Sequence, residues 1–325
     1  MTITSSTIQN LVGLTERAFG ETVNVLLKDS NTILNSGLAI STPVVDTLAG
    51  GKSRVASLDY INPLPTDGVN YSSDDINADG DVMGTTGGTF MARRDDLNIG
   101  IGFTDLAAAV TKWDGKGAAP AMLADAWDSR YNAIAVSTIN GALKVNTGLT
   151  YTSKAGVSLY EAAMLAGATA GTFADEFDIL IVHPVDYAKM RIDNKIPFIP
   201  ASQTESRFAE WAGFKLVKSK AVAAGAPIMA RRGALAFGVG LPSPFIETEY
   251  QRLANKGSGG GADILHSRRS ITCQPQGFSW KGGVAPTVLK VGTTAPAIET
   301  ASNWEMILSD IEQIGFRKIV LTPAV

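Results

Sequence analysis

A long stretch near the carboxyl terminus has the character of extended β-structure and constrains the fold more than any other part of the chain. It covers residues 262–283 and reads ADILHSRRSITCQPQGFSWKGG, with β-branched and aromatic residues that suit a half-buried pleated surface. Pro275 lacks an amide hydrogen, so it indicates a bulge, an edge or a turn. We therefore expect a strand pair here, against which other elements pack.

Adjacent arginines lie in the middle of this stretch and recur twice elsewhere. Because neighbouring side chains on a strand point to opposite faces, one sheet cannot hide both from solvent or from partners. Each arginine is either an ordinary solvated surface charge or the partner of a carboxylate, including one on another subunit. The candidate assembly contacts are Arg93, Arg94, Arg231, Arg232, Arg268 and Arg269.

The composition is that of a folded protein and excludes several functional classes. The 325 residues are 45% hydrophobic and 18% charged. A net charge of −3 argues against a dedicated nucleic-acid binder, so we expect only local, nonspecific contact with DNA. One cysteine and two histidines favour neither a disulfide framework nor a zinc site. With no signal-like start and no uninterrupted apolar run, we expect a chain made in the cytoplasm without a membrane span.

The first hundred residues show few signs of a core of their own. Residues 7–27 have the spacing of a short amphipathic helix, and residues 38–48 read as extended, which together predict an arm that lies on another surface. Residues 55–61 and 89–103 read as the two strands of a long hairpin with a tip rich in Gly, Asp and Asn. An isolated two-stranded hairpin is marginal in water. Either another subunit holds it, or it folds back on its own domain.

The strongest helical pattern covers residues 118–143, and we expect this rod to pack on the strands of residues 262–283. Apolar residues recur there at three- and four-residue spacing, and Pro120 suits a first turn. Between these two elements lies an inserted α/β unit with apolar strands typical of a mixed, central sheet. We expect helices at 158–170, from Pro184 onward and, capped by Asn303, at 303–313, and strands at 177–182, 213–222, 227–230, 233–239 and 317–321.

Motifs that could carry chemistry are incomplete. Asp75, Asn77 and Asp79 have the spacing of the first half of a calcium loop, but Thr86 stands where a bidentate glutamate is required, so they are a weak metal candidate beside a solvated hairpin tip. His183 lies at a strand end, where it either acts as a base or is a capped, structural histidine. We predict no catalytic residue, no cofactor and no metal.

Four stretches together resemble the major capsid proteins of tailed bacteriophages, whose Hong Kong 97-like fold is shared with encapsulins. They are AAPAMLADAWDSRYNAIAVSTINGAL, FDILIVHPVDYAKMRI, HSRRSITCQPQGFSW and NWEMILSDIEQIGFRKIVL, and their order and spacing carry the resemblance. It implies an α+β fold with an amino-terminal arm (1–55), an extended loop (56–106), a peripheral domain with a spine helix and long strands (107–155 and 241–300), an inserted axial domain (156–240), and a helix and strand (301–325) that return to the axial domain.

The resemblance also implies a structural function. Subunits of such shells form hexamers and pentamers of an icosahedral or prolate capsid around double-stranded DNA, with portal, scaffolding and decoration proteins as partners. Some members crosslink through a lysine in the extended loop, whereas residues 57–106 contain no lysine, which predicts a non-covalent shell in the virion. In that context, one face of Arg268 and Arg269 is expected to meet the subunit itself and the other a neighbour. An encapsulin shell and a soluble α/β enzyme using His183 remain alternatives.

Overall fold

The computed structural model describes residues 32–61, 69–72, 74–75, 77, 79–111, 114–192, 198–200, 208–283, 296–308 and 310–322. The helix predicted at residues 7–27 lies outside them. The α-helices in the described residues are α1 (Thr32–Asn35), α2 (Pro43–Gly50), α3 (Asp105–Thr111), α4 (Gly115–Leu143), α5 (Leu159–Ala168) and α6 (Pro184–Ile192).

The strands in the same residues form three sheets. They are β1 (Ala39–Ile40), β2 (Val55–Ile61), β3 (Gly87–Thr104), β4 (Thr150–Thr152), β5 (Phe177–Val182), β6 (Phe198–Ile199), β7 (Ala209–Trp211), β8 (Phe214–Lys218), β9 (Ile228–Arg231), β10 (Leu235–Gly240), β11 (Thr248–Leu253), β12 (Ala262–Pro275), β13 (Phe278–Trp280), β14 (Trp304–Met306) and β15 (Phe316–Val320). Short 3-10 helices lie at Thr147–Leu149, Gly171–Glu176, Ala297–Glu299, Ala301–Asn303 and Ile311–Gln313.

The predicted long extended stretch forms β12, which is the central strand of the first sheet. The order of that sheet is β1-β10-β12-β3-β2, and β11 also pairs with β12. β12 ends at Pro275, and Gly277, with a φ of +84°, carries the chain through a turn that favours glycine. β13 then pairs with β14 in a separate sheet, so the two strands of the stretch do not pair with each other.

The spine helix α4 packs on β12, as predicted. Leu123, Trp127 and Tyr131 are all buried, and the indole nitrogen of Trp127 donates a hydrogen bond of 2.9 Å to the Ser267 hydroxyl. The helix begins earlier than expected because the Asp114 side chain accepts from the amide of Gly117 and caps it. Pro120 therefore lies inside the helix, so its predicted first-turn position is wrong.

The second sheet is mixed, with the order β4-β15-β9-β5-β8-β7-β6. It does not include the strand predicted at 233–239, because that segment forms β10 and pairs with β12 in the first sheet. β5 pairs parallel with β8 and antiparallel with β9. Its Ile179 and Ile181 belong to the hydrophobic cluster that holds the buried face of α4, while Leu180 and Val182 belong to the cluster that holds α5. Both faces of the strand are thus covered, which explains the apolar run that predicted a central strand.

Two further local predictions are wrong. Residues 38–48 are not extended throughout, because the Thr42 hydroxyl accepts from the amide of Val45 and Pro43 supplies a favourable first position, so α2 begins there. The helix predicted at residues 303–313 is replaced by β14 and a 3-10 turn. There the ring of Trp304 packs edge-to-face on Trp280 at 5.0 Å, a tertiary contact that outweighs local helix propensity.

The last strand of the described chain is β15, which begins and ends one residue before the strand predicted at 317–321. β15 lies between β4 and β9 in the second sheet. In the described part of the chain, no helix is both long and apolar enough to cross a membrane.

Candidate assembly surfaces

The long hairpin predicted from the sequence is present, and among the described strands its β2 pairs with β3 alone, which makes a two-stranded ribbon. β3 pairs with β2 from Gly87 to Arg93 and with β12 from Arg94 to Thr104. β2 and β12 lie on opposite sides of β3, and the pairing partner of β3 changes from β2 to β12 between Arg93 and Arg94. We call residues 55–92 the hairpin arm; residues 62–68, 73, 76 and 78 of it lie outside the described part.

The hairpin arm is acidic and exposes apolar side chains. Its sequence contains six aspartates and no lysine, arginine or histidine. Tyr71 is 99% exposed, Val82 is 95% exposed, and Ile61 and Val69 are each 77% exposed. Large apolar side chains grouped on one projecting element are typical of surfaces that another protein covers.

The weak calcium candidates Asp75, Asn77 and Asp79 lie in this arm, where the first two form a local turn. The Asp75 carboxylate accepts hydrogen bonds from the backbone amide of Asn77 at 3.0 Å and from its side-chain amide at 3.4 Å. Such contacts are those of an Asx turn. Among the described residues no group of three or more His, Cys, Asp or Glu side chains could hold a metal ion.

Arg93 and Arg94 lie at the root of the hairpin arm and are buried, at 7% and 4% exposure. Arg93 donates to the Asp95 carboxylate at 2.8 Å, whereas Arg94 forms an ion pair with the Asp96 carboxylate at 2.9 Å and donates a hydrogen bond to it at 3.4 Å. Side chains with so little free surface have almost no area to offer another subunit. Their observed contacts are therefore internal to the chain, and contact with a neighbour stays a prediction.

The other four candidate arginines are ion-paired within the chain and keep more surface. Arg231 pairs with Glu176 at 2.9 Å, and Arg232 pairs with Asp178 at 2.6 Å. On β12, Arg268 pairs with Glu249 at 3.0 Å, and Arg269 pairs with Glu247 at 2.7 Å. Both β12 arginines thus find partners on one segment of their own chain, and contact with a neighbour stays a prediction.

Neither His183 nor Cys273 is placed as a reactive group. The Nδ1 atom of His183 accepts a hydrogen bond of 3.2 Å from the amide of Val185 at the start of α6. Cys273 is buried, and burial raises the pKa of its thiol to about 12. The thiol therefore stays protonated at neutral pH, whereas a nucleophilic cysteine requires a thiolate.

A groove of about 420 Å³ lies where the hairpin arm joins the body. Apolar side chains of six separate segments line it, including Ile40, Tyr60, Phe90, Pro275 and Leu308. Sequence reasoning missed this groove because no single segment carries its pattern.

The arrangement of these elements can be compared with solved structures. The capsid of Ralstonia phage GP4 superposes with a TM-score of 0.57 at 12% identity, covering 80% of this chain and 92% of that one. A chain from Gordonia phage Cozz has a TM-score of 0.51 at 16% identity, covering 100% and 97%. The capsid of a native GTA particle has a TM-score of 0.55 at 10% identity, covering 94% of each chain.

The chain has the fold of phage capsid proteins. The likeness spans nearly the whole length of both chains, which confirms the α+β capsid fold expected from the sequence. No protein-family model and no curated protein matches the sequence. At these identities the shared property is the fold, and the function must be argued from surfaces.

Further apolar surface on this capsid fold lies away from the hairpin arm. Tyr160, Met164 and Leu165 are each about two-fifths exposed on one helix, α5, and Phe245 and Ile246 are more than half exposed in the loop before β11. Tyr160 and Met164 are four residues apart and share a helix face, a spacing that a search for exposed i, i+4 pairs would detect.

Proposed function

We propose that this protein is a major capsid protein whose subunits form the hexamers and pentamers of a closed icosahedral or prolate shell around double-stranded DNA. The observation that carries the proposal is the hairpin arm, an acidic ribbon with exposed apolar side chains on a capsid fold of full length. A two-stranded ribbon gains stability when a further surface covers it. A neighbouring subunit provides that surface in a closed lattice, where many modest contacts add up.

The proposed domain division follows the sequence expectation. Residues 1–55 are the amino-terminal arm, 56–106 the extended loop, 107–155 and 241–300 the peripheral domain, and 156–240 the axial domain. Residues 301–325 return to the axial domain. The position of β15 between β4 and β9, in the same sheet as β5, supports that return.

The shell is proposed to be structural, non-enzymatic and held without covalent crosslinks. The lack of lysine in residues 57–106 supports non-covalent contacts through the extended loop. The partners are other copies of the chain, portal and scaffolding proteins, and decoration proteins where these occur. Contact with packaged DNA is nonspecific, in keeping with the net charge of −3. The subunit is made in the cytoplasm of the bacterial host and ends in the virion.

The test is the size of what the purified full-length chain forms. Sedimentation velocity and negative-stain electron microscopy should show capsomers or megadalton shells, with or without a co-expressed scaffolding protein. A variant in which a short Gly-Ser linker replaces residues 62–86 should keep its melting temperature and stop at smaller species. A wild-type chain that runs only as a monomer or small oligomer would contradict the proposal. Small shells that hold a cargo protein instead of DNA would favour the encapsulin alternative.

A further inference from the structure

The root of the hairpin arm is the one place on β3 where four consecutive residues are buried. Along the arm, exposed and partly buried residues alternate, as expected for a strand with one covered face. From Ala92 to Asp95 both faces are covered. Two of the four residues are arginines, which are rarely buried unless paired. Both faces of β3 are therefore packed against other parts of the chain at the point where its pairing partner changes from β12 to β2.

One clamp is built around Arg93. Its guanidinium lies over the ring of Trp280 at 5.2 Å and donates to the Asp95 carboxylate at 2.8 Å and to the Gly283 carbonyl at 2.7 Å. Next to it, the amide of Met91 donates to the Ser279 hydroxyl at 3.0 Å. This face of β3 is thus tied to β13 and the residues that follow it.

The other clamp is built around Arg94. Its guanidinium donates to the carbonyls of Leu48 and Gly51 at the carboxyl end of α2, where a cation is favourable. It also pairs with Asp96 at 2.9 Å. The Asp96 carboxylate accepts from Arg54 at 3.1 Å, immediately before β2, and from the Ser270 hydroxyl at 2.6 Å on β12. A single carboxylate thus joins β2, β3 and β12.

We propose that Arg93 and Arg94 are positioning residues that set the direction in which the hairpin arm leaves the subunit. They act on assembly without touching a neighbour, by holding the two faces of β3 where the described sheet narrows to a ribbon. A planar guanidinium with several donors fixes angles that a point charge would leave free. The predicted effect on assembly rests on the proposed function. The predicted effect on the position of the arm does not depend on that function.

The test compares Arg94→Met with wild type by hydrogen–deuterium exchange of the full-length chain in its dissociated form. Arg94→Met removes the guanidinium that bonds the carbonyls of Leu48 and Gly51 and pairs with Asp96, so amides of β2 and of residues 87–92 should exchange roughly tenfold faster or more. Amides of β5, which lies in the second sheet, should exchange as in wild type. Arg252→Met is the matched control, because it removes a half-exposed arginine of the same sheet at the opposite end of β3.

Other variants keep the test decisive if Arg94→Met does not fold. Arg54→Met removes the half-exposed partner of the same carboxylate and should speed exchange of the same amides by a smaller factor. Arg94→Lys keeps the charge, loses the fork of donors and should fall between wild type and Arg94→Met. Unchanged exchange of the arm in Arg54→Met and in a folded Arg94→Met would overturn the proposal. Equal acceleration in the arm and in β5 would also overturn it, because it would show general destabilisation.

Assembly is the second measurement. If the arm is misdirected, the yield of capsomers or shells from Arg94→Met should fall at least tenfold at equal protein concentration, and Arg94→Lys should recover part of it. Full assembly by Arg94→Met would refute a role in shell formation. If wild type forms no shells, the proposed function fails, while the exchange measurement still decides whether the arginines fix the arm.

Discussion

Trp280 offers a direct test of how the hairpin root and the carboxyl-terminal segment are held together. Its ring is 3% exposed, packs edge-to-face on Trp304 at 5.0 Å, and lies 5.2 Å from the guanidinium of Arg93. Its indole nitrogen also donates to the Gly283 carbonyl at 3.3 Å. Trp280→Ala removes all of these contacts at once and leaves a cavity between two sheets.

The expected loss is about 3 to 5 kcal/mol of unfolding free energy, the range for truncating a buried aromatic ring to alanine. Urea unfolding of the dissociated subunit, followed by circular dichroism, should measure it. With an m-value of about 3 kcal/mol/M for a chain of this length, the midpoint should fall by about 1 to 2 M. Tyr71→Ala is the control, because its ring is 99% exposed and its removal should change stability by less than about 0.5 kcal/mol.

A wild-type urea midpoint in Trp280→Ala would refute the reasoning, because it would mean that the ring is not part of the core. A fall of the same size in Tyr71→Ala would refute it equally, because the method would then not separate buried from exposed rings. Trp280→Phe should lie between the two, since it keeps an aromatic ring and loses the indole hydrogen bond.

Three further predictions follow from other parts of the molecule. Tyr71→Ala should leave unfolding unchanged but lower the yield of assembled shells in sedimentation, and normal assembly would show that the arm tip contacts no neighbour. Purified shells, boiled and reduced, should give one band on a denaturing gel, whereas a ladder of multimers would reveal covalent crosslinks. Burial would raise the pKa of Asp96, but the hydrogen bond from Ser270 and the charges and hydrogen bonds of Arg94 and Arg54 lower it overall. Its contribution to stability is therefore complete above the ordinary value of 3.8 and is lost as the pH falls below it; an acid titration of unfolding should show this loss in wild type and not in Asp96→Asn.

Elements that depend on local pattern were predictable from the sequence. The spacing of Leu123, Trp127 and Tyr131 placed α4, and the run from Phe177 to Val182 placed β5, because burial on one helix stripe or both strand faces leaves a direct trace in the residue order. α2 was missed although Thr42 and Pro43 carry a usable start signal. The start signal for this helix is present in the sequence, and the prediction of an extended segment did not take it into account.

Elements that depend on distant contacts were not predictable in the same way. Residues 303–313 have local helix signals, whereas β14 is held by its pairing with β13 and by the packing of Trp304 on Trp280. Arg93 and Arg94 look like surface charges in the sequence, because their burial depends on α2 and β13, which no local pattern brings to β3. The groove beside the arm could not be predicted for the same reason, because its lining residues come from six separate segments.

The central position of β12 has a consequence for synthesis of the chain. The contact between Ser270 and Asp96 joins residues 174 positions apart, so the hairpin root cannot close until the ribosome has made almost the whole subunit. At about 5 to 20 residues per second, roughly 10 to 35 s separate the two residues during translation. A nascent chain thus lacks the contacts of β12 and β13 at its hairpin root until both strands have been made. In the proposed shell, a chain that ends before Ser270 would lack this anchor for its arm.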